Sequence, residues 1–76
     1  MNLYYVVAEA GDFKIEDEIR ANNLTQLAQF VRETIACYRD WVRDASVVNC
    51  SNIKFKYTQV LDKNDNDVTA EATAAA

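Results

Sequence analysis

Over residues 23–45 the chain carries apolar side chains at helical spacing, and no other stretch limits its possible folds so tightly. At about 100° per residue, Leu24, Leu27, Ala28, Phe30, Val31, Thr34, Ile35, Cys37, Tyr38, Trp41, Val42 and Ala45 fall in one half-circle. The other half holds Thr25, Gln26, Gln29, Arg32, Glu33, Arg39, Asp40, Arg43 and Asp44, with Ala36 as its one apolar member. An arc this wide exceeds a coiled-coil seam and suits a helix laid across a sheet. Asn23 is placed to cap the first turn, and Gln26 stands three residues on, where a capping box requires it. Running to Ala45, such a helix is about 33 Å long at ~1.5 Å per residue. Trp41, the largest side chain in the arc, is expected between helix and sheet.

The flanking segments alternate as strands do. Residues 2–9 are rich in tyrosine and valine and apolar on both faces, Leu3, Tyr5 and Val7 on one and Tyr4, Val6 and Ala8 on the other. Ala10, Gly11 and Asp12 form a turn in which Gly11, the chain's single glycine, accepts a positive φ without steric cost. Residues 13–21 then set Phe13, Ile15, Asp17 and Ile19 against Lys14, Glu16, Glu18 and Arg20. Asp17 interrupts the apolar side, which implies a bulge or an edge position. After the helix, residues 46–52 form a crossover in which Val47 and Val48 tuck against the core. A third strand over 53–61 follows, with Ile53, Phe55, Tyr57 and Leu61 on one face and Lys54, Lys56, Thr58 and Val60 on the other. Residues 62–67 are a polar turn, and 68–72 a short fourth strand.

Together these elements predict an α+β two-layer sandwich, β-β-α-β with a possible final β. One long amphipathic helix covers one face of an antiparallel sheet of strand order 2-1-3. The domain spans residues 1–72, and residues 73–76 form a flexible C-terminal tail.

Several function classes are disfavoured by residue type. The 76 residues carry twelve acidic and eight basic side chains, a formal net charge of −4, and no histidine. That balance opposes capture of a nucleic-acid backbone, which needs a clustered positive surface. Arg32, Arg39 and Arg43 share a helix face, but each has an acidic neighbour in sequence. Metal chemistry has little to work with, because the two cysteines, Cys37 and Cys50, lack metal-site spacing. Asp62, Asn64 and Asn66 are spaced like the start of a calcium loop. The sixth and twelfth positions are then Asp67 and Thr73 where glycine and glutamate belong, so a locally bonded polar turn is expected. A cysteine nucleophile would lack a histidine base, and Glu16 with Glu18 reads as a solvated strand face rather than an acid–base pair. No enzyme, metal or cofactor is expected. The apolar run near the N-terminus is too short for a signal segment and has no basic leader, so a cytoplasmic chain with reduced thiols is expected.

Binding is the class that remains. If the helix covers the face of Leu3, Tyr5 and Val7, the sheet's other face exposes Tyr4 and Val6. The surrounding rim is Glu16, Glu18, Lys54 and Lys56, with Asp12 at the hairpin turn. An apolar centre inside a charged rim is the anatomy of a protein interface. These seven residues are the candidate partner-binding set. They suit a small acidic module, or an inhibitor that occupies a basic or nucleic-acid-binding surface of a larger protein or complex. Compact acidic proteins occur among viral inhibitors of bacterial defence systems, a likeness of size and charge alone. The alternatives are a homodimer or assembly protein joined through the same face, and a nucleic-acid-binding regulator. A membrane partner is not expected.

Overall fold

The computed structural model describes residues 1–39, 41 and 50–76. A hairpin of β1 (Asn2–Ala10) and β2 (Phe13–Ala21) leads into α1 (Leu24–Arg39). After a short 3-10 turn at Cys50–Asn52 come β3 (Lys56–Leu61) and α2 (Thr69–Ala75). Among the described residues the sheet has three antiparallel strands in the order β2-β1-β3. Helix α1 packs on β2, and α2 packs on both β3 and α1. The result is the expected α+β arrangement, with the helices layered on one face of the sheet.

Each element has a local cause. Gly11 sits at φ 64°, and Asp12 is not among the positive-φ residues, as the first and second positions of a type II′ hairpin turn require. The loop therefore holds two residues, Gly11 and Asp12, and Ala10 pairs with Phe13. At the start of α1 the Asn23 side-chain oxygen accepts the Gln26 backbone N–H at 2.8 Å, as a helix cap does. Gln26 reaches back at 2.6 Å, to the N–H of Asn22 rather than that of Asn23, so the box closes one residue early.

The two-residue loop decides which side of β1 is buried. It pairs Tyr4 with Ile19, Val6 with Asp17 and Ala8 with Ile15. The apolar, odd-numbered residues of β2 thus share a face with the even-numbered residues of β1. Tyr4 (7% exposed), Val6 (0%), Ala8 and Ala10 join Ile15, Ile19, Leu27, Val31 and Ile35 in the core. This corrects the expectation that Tyr4 and Val6 lie on the open face under Leu3, Tyr5 and Val7. A three-residue turn beginning at Ala10 would have given that arrangement, and a register shift of one residue turns every side chain over. On β3, a register shift lets Ala8 pair with Tyr57 while Val7 pairs with Gln59, so Thr58 is the additional residue of a bulge. Tyr57 and Val60 are consequently both buried, although their numbers differ in parity.

The helix is shorter than its periodicity. Trp41 has φ 56° and is 92% exposed, so α1 ends before it and the expected burial of this residue is overturned. The proposed helical residues 42–45, and Val47 and Val48 of the linker, lie outside the described residues. Ala36, the lone apolar residue of the polar half, is fully buried and joins the same core cluster as Ala72 of α2. The short fourth strand is also overturned: residues 69–75, which take in most of the expected tail, are helical, and in this segment only an isolated bridge from Asp67 to Leu61 is strand-like. Alanine favours helix over strand, and the buried Ala72 gives that helix a seat. The segment is tied down where the Val68 N–H donates to the Val60 carbonyl at 2.8 Å and the Val60 N–H to Thr69 Oγ1 at 2.9 Å.

Candidate functional site

With the core assigned, the uncovered face of the sheet can be read in rows. Lys14, Glu9 and Lys56 form one row, Glu16, Val7 and Gln59 the next, then Glu18, Tyr5 and Leu61, then Arg20 and Leu3. The centre is the odd side of β1, with Leu3 exposed, Tyr5 and Leu61 half-buried, and Val7 screened by its neighbours. Charges of both signs surround it, and Glu9 stands between two lysines.

Tyr5 is held in place on this face. Its hydroxyl donates to Glu16 Oε1 at 2.5 Å, diagonally across the β1–β2 ladder. That bond to a carboxylate pushes the Tyr5 phenol above its ordinary pKa, so it stays a neutral donor. Beside it a notch of about 110 Å³ is lined by Leu3, Tyr5, Glu18, Asp62, Lys63 and Asp65.

Of the expected binding residues, Glu16, Glu18 and Lys56 come together around the apolar centre, and Asp12 is exposed at the hairpin tip. Lys54 is exposed but precedes β3, so the ladder does not place it in this face. Tyr4 and Val6 are core residues and are replaced here by Tyr5 and Val7, with Leu3 and Leu61 added. The signal that separates the two sets is the loop length: Gly-Asp as a two-residue turn fixes the parity of β1 against β2.

The acidic loop after β3 is used internally. The Asp62 carboxylate accepts the backbone N–H groups of Asn64 (2.8 Å) and Asn66 (3.0 Å), and Asp67 accepts that of Thr69 at 2.9 Å. The Asn66 N–H above all lowers the Asp62 pKa, and the Thr69 hydroxyl, then its N–H, lowers that of Asp67. These contacts give the local turn the Asp-x-Asn-x-Asn pattern implied. Among the described residues no group of three or more cysteine, aspartate or glutamate side chains is placed to hold a metal ion. Cys37 and Cys50 are both half-buried thiols. Within the described residues no helix is long and apolar enough to cross a membrane.

A second polar cluster lies under α1. The Arg32 guanidinium stands 5.2 Å from the centroid of Phe55, whose ring meets Tyr57 edge-on at 4.9 Å. Burial pushes the Tyr57 phenol up to about 12, against the opposing pull of Arg32. Arg32 and Phe55 are half-buried, and a cavity of about 360 Å³ lined by Thr25, Gln29, Arg32, Glu33 and Cys50 opens beside them.

No family model, curated protein or solved structure matches the chain.

Proposed function

We propose that the protein is a small binding module without catalytic activity, acting by docking the open sheet face and hairpin onto another protein. The observation that carries this reading is the sidedness of β1. The helices cover its even-numbered side, yet Leu3, Tyr5 and Val7 keep the other side apolar and Leu61 extends it. Tyrosine suits such a centre, since it buries a large ring at low entropic cost and its hydroxyl is already oriented. Glu16, Glu18 and Asp12 favour a basic surface on the partner, including one that otherwise holds nucleic acid, and in that case the module acts as an inhibitor.

The face alone is small for this task. Strands ~4.8 Å apart and up to nine residues long span about 14 by 30 Å, or roughly 400 Å². A standard interface takes about 800 Å² from each partner. The hairpin tip and a sheet edge must therefore contribute.

The test uses a tagged chain produced in its native cells and purified at physiological salt. One protein should co-purify in stoichiometric amount with the parent chain and with a Gln29→Ala control on the exposed helix flank. It should be lost with Leu3→Asp and Tyr5→Ser variants whose circular dichroism shows them folded at the assay temperature. A partner that survives both substitutions, or none at all, would refute the assignment. Sedimentation of the isolated chain separates the alternative, because a homodimer through this face would dissociate in the same two variants.

A further inference from the structure

Strand β2 lies at the edge of the sheet, and among the described residues no strand pairs with its outer side. The opposite edge is occupied at its end, where Val68 and Thr69 bond to Val60 of β3. In a two-residue hairpin the closing pair, Ala10 and Phe13, exchanges backbone hydrogen bonds, and bonded pairs then alternate along the ladder. Phe13, Ile15, Asp17, Ile19 and Ala21 thus spend their backbone groups on β1. Lys14, Glu16, Glu18 and Arg20 turn theirs outward. One of these outward groups is already provisionally occupied: the Glu18 N–H donates to the neighbouring Asp17 side chain at 2.8 Å. Asp17 is half-buried on the helix side, so it stoppers the edge rather than filling the core.

Below this edge, on the helix side, runs a groove of about 540 Å³ whose lining includes Ile19 of β2 and Phe30, Cys37 and Tyr38 of α1, with Asp17 and Glu33 as acidic members. Tyr38 is 59% exposed at its mouth. On the open-face side the edge presents Lys14, Glu16, Glu18 and Arg20, a palindrome of charge. A second copy pairing antiparallel about Asp17 would set Lys14 against Arg20 and Glu16 against Glu18. Moving the register one ladder step either way puts Glu16 or Glu18 opposite its own copy. Like charges directly opposite destabilise a ladder, so the edge is patterned against the symmetric register about Asp17. One step away, the Glu16 or Glu18 self-pair is offset by Lys14 facing Glu18 or by Arg20 facing Glu16. The edge complements a strand that reads acidic, basic, basic, acidic.

We propose that the outer edge of β2 takes an extended segment of a partner protein as an antiparallel fourth strand. Basic side chains of that segment lie over Glu16 and Glu18, and its alternate apolar side chains enter the groove against Phe30, Cys37 and Tyr38. The proposal rests on the protein-binding reading and supplies the area that the open face lacks. The incoming strand displaces the Asp17 carboxylate from the Glu18 N–H.

The probe is a capped heptapeptide alternating valine with charged residues in the order acidic, basic, basic, acidic, titrated into the isotope-labelled full chain. Saturable shift changes should be confined to the amides of residues 14–20 and 30–38, with exchange at the Glu16 and Glu18 amides slowed at least tenfold. The charge-inverted peptide should bind at least tenfold more weakly, and a Glu16→Lys, Glu18→Lys double variant should reverse that preference. Methylating the backbone nitrogens of the two basic residues should abolish binding, whereas Asp17→Ala should tighten it several-fold. Absence of binding, equal binding of both charge orders, indifference to methylation, or shifts centred on Tyr5 and Leu61 would each overturn the proposal. Its failure is separable from that of the function. A native partner lost with Leu3→Asp and Tyr5→Ser, beside a silent peptide, leaves the face and removes the edge. Peptide binding with no native partner does the reverse.

Discussion

Tyr4 and Tyr5 are adjacent and chemically identical, and the fold assigns them opposite roles, so truncating each in turn tests the assignment of the sheet's faces. Tyr4 is 7% exposed, lies opposite Ile19 and belongs to the main core cluster. Removing a buried aromatic ring leaves a cavity as well as losing its transfer energy, so Tyr4→Ala should cost about 3–5 kcal/mol. A domain of this length has roughly 4–11 kcal/mol of stability at typical values per residue, and the variant would lose a large part of it. At roughly 4–8 °C per kcal/mol, even the lower figure lowers Tm by about 12 °C. Tyr5→Ala gives up a half-buried ring on the open face and a solvent-side hydrogen bond to Glu16, together about 1 kcal/mol. Urea titration followed by circular dichroism reads both values, and unchanged slopes certify that the midpoints report stability. If Tyr5→Ala proved as costly as Tyr4→Ala, the face assignment would be refuted, and with it the two-residue register of the hairpin.

Gly11→Ala should cost about 1–2 kcal/mol in the same titration, because φ 64° is left-handed; a Cβ there would meet nothing within 4 Å, so the loss is conformational and Asn should recover part of it. Asp62 and Asp67 have lowered pKa values in the fold, so their stabilisation is present above the ordinary value of 3.8 and disappears as pH falls through the folded values. Acid unfolding of Asp62→Asn should accordingly be less steep below that pH. Tyr57 has the opposite sign: its phenol is raised from 10.0 to about 12, so its contribution is complete below pH 10 and is lost between those values as the unfolded chain ionises first. A Tyr57→Phe variant should keep more of its Tm over that alkaline interval. Neither duplex DNA nor single-stranded RNA should bind at physiological salt, and micromolar, salt-sensitive retention in a filter assay would restore the nucleic-acid alternative.

The parts of the fold that were legible in sequence are those where local chemistry and periodicity agree. Asn23 and Gln26 announce the start of α1, Gly11 announces the hairpin, and the alternation of β2 identifies its buried side. The side of β1 was not legible from its own residues, because both of its faces are apolar and alternation cannot rank two equal patterns. Only the loop length ranks them, through pairing. The end of α1 was hidden for a different reason. Residues 24–45 contain neither glycine nor proline, so the apolar arc runs on through Trp41 without a stop signal. The strand expected over 68–72 gives way to helix because its alternating small side chains fit a strand by pattern alone, while the helix depends on Ala72 seating in the core and on Thr69 bonding to β3. For the candidate site, the alternation of β2 is enough to put Glu16 and Glu18 on the open face. On β3 the bulge at Thr58 turns Val60 inward and Leu61 outward against simple alternation, and the apolar centre turns on the parity of β1.

The distribution of charge narrows what kind of partner the module suits. A net charge of −4 suggests a molecule that imitates a phosphate backbone, but the open face does not carry that excess. Its acidic residues Glu9, Glu16 and Glu18 are matched there by Lys14, Arg20 and Lys56. Much of the surplus lies in the loop after β3, where the carboxylates of Asp62 and Asp67 are already engaged by the loop's own backbone. A uniformly negative field would attract any basic surface and would weaken with salt over the Debye length, about 8 Å at physiological strength. Balanced charges of both signs along an open strand edge largely cancel at that distance and act at contact, where they discriminate one sequence and register from another. Association by this surface should therefore be selective and only weakly dependent on salt, which separates a strand-pairing partner from a nucleic-acid mimic's target more sharply than affinity would.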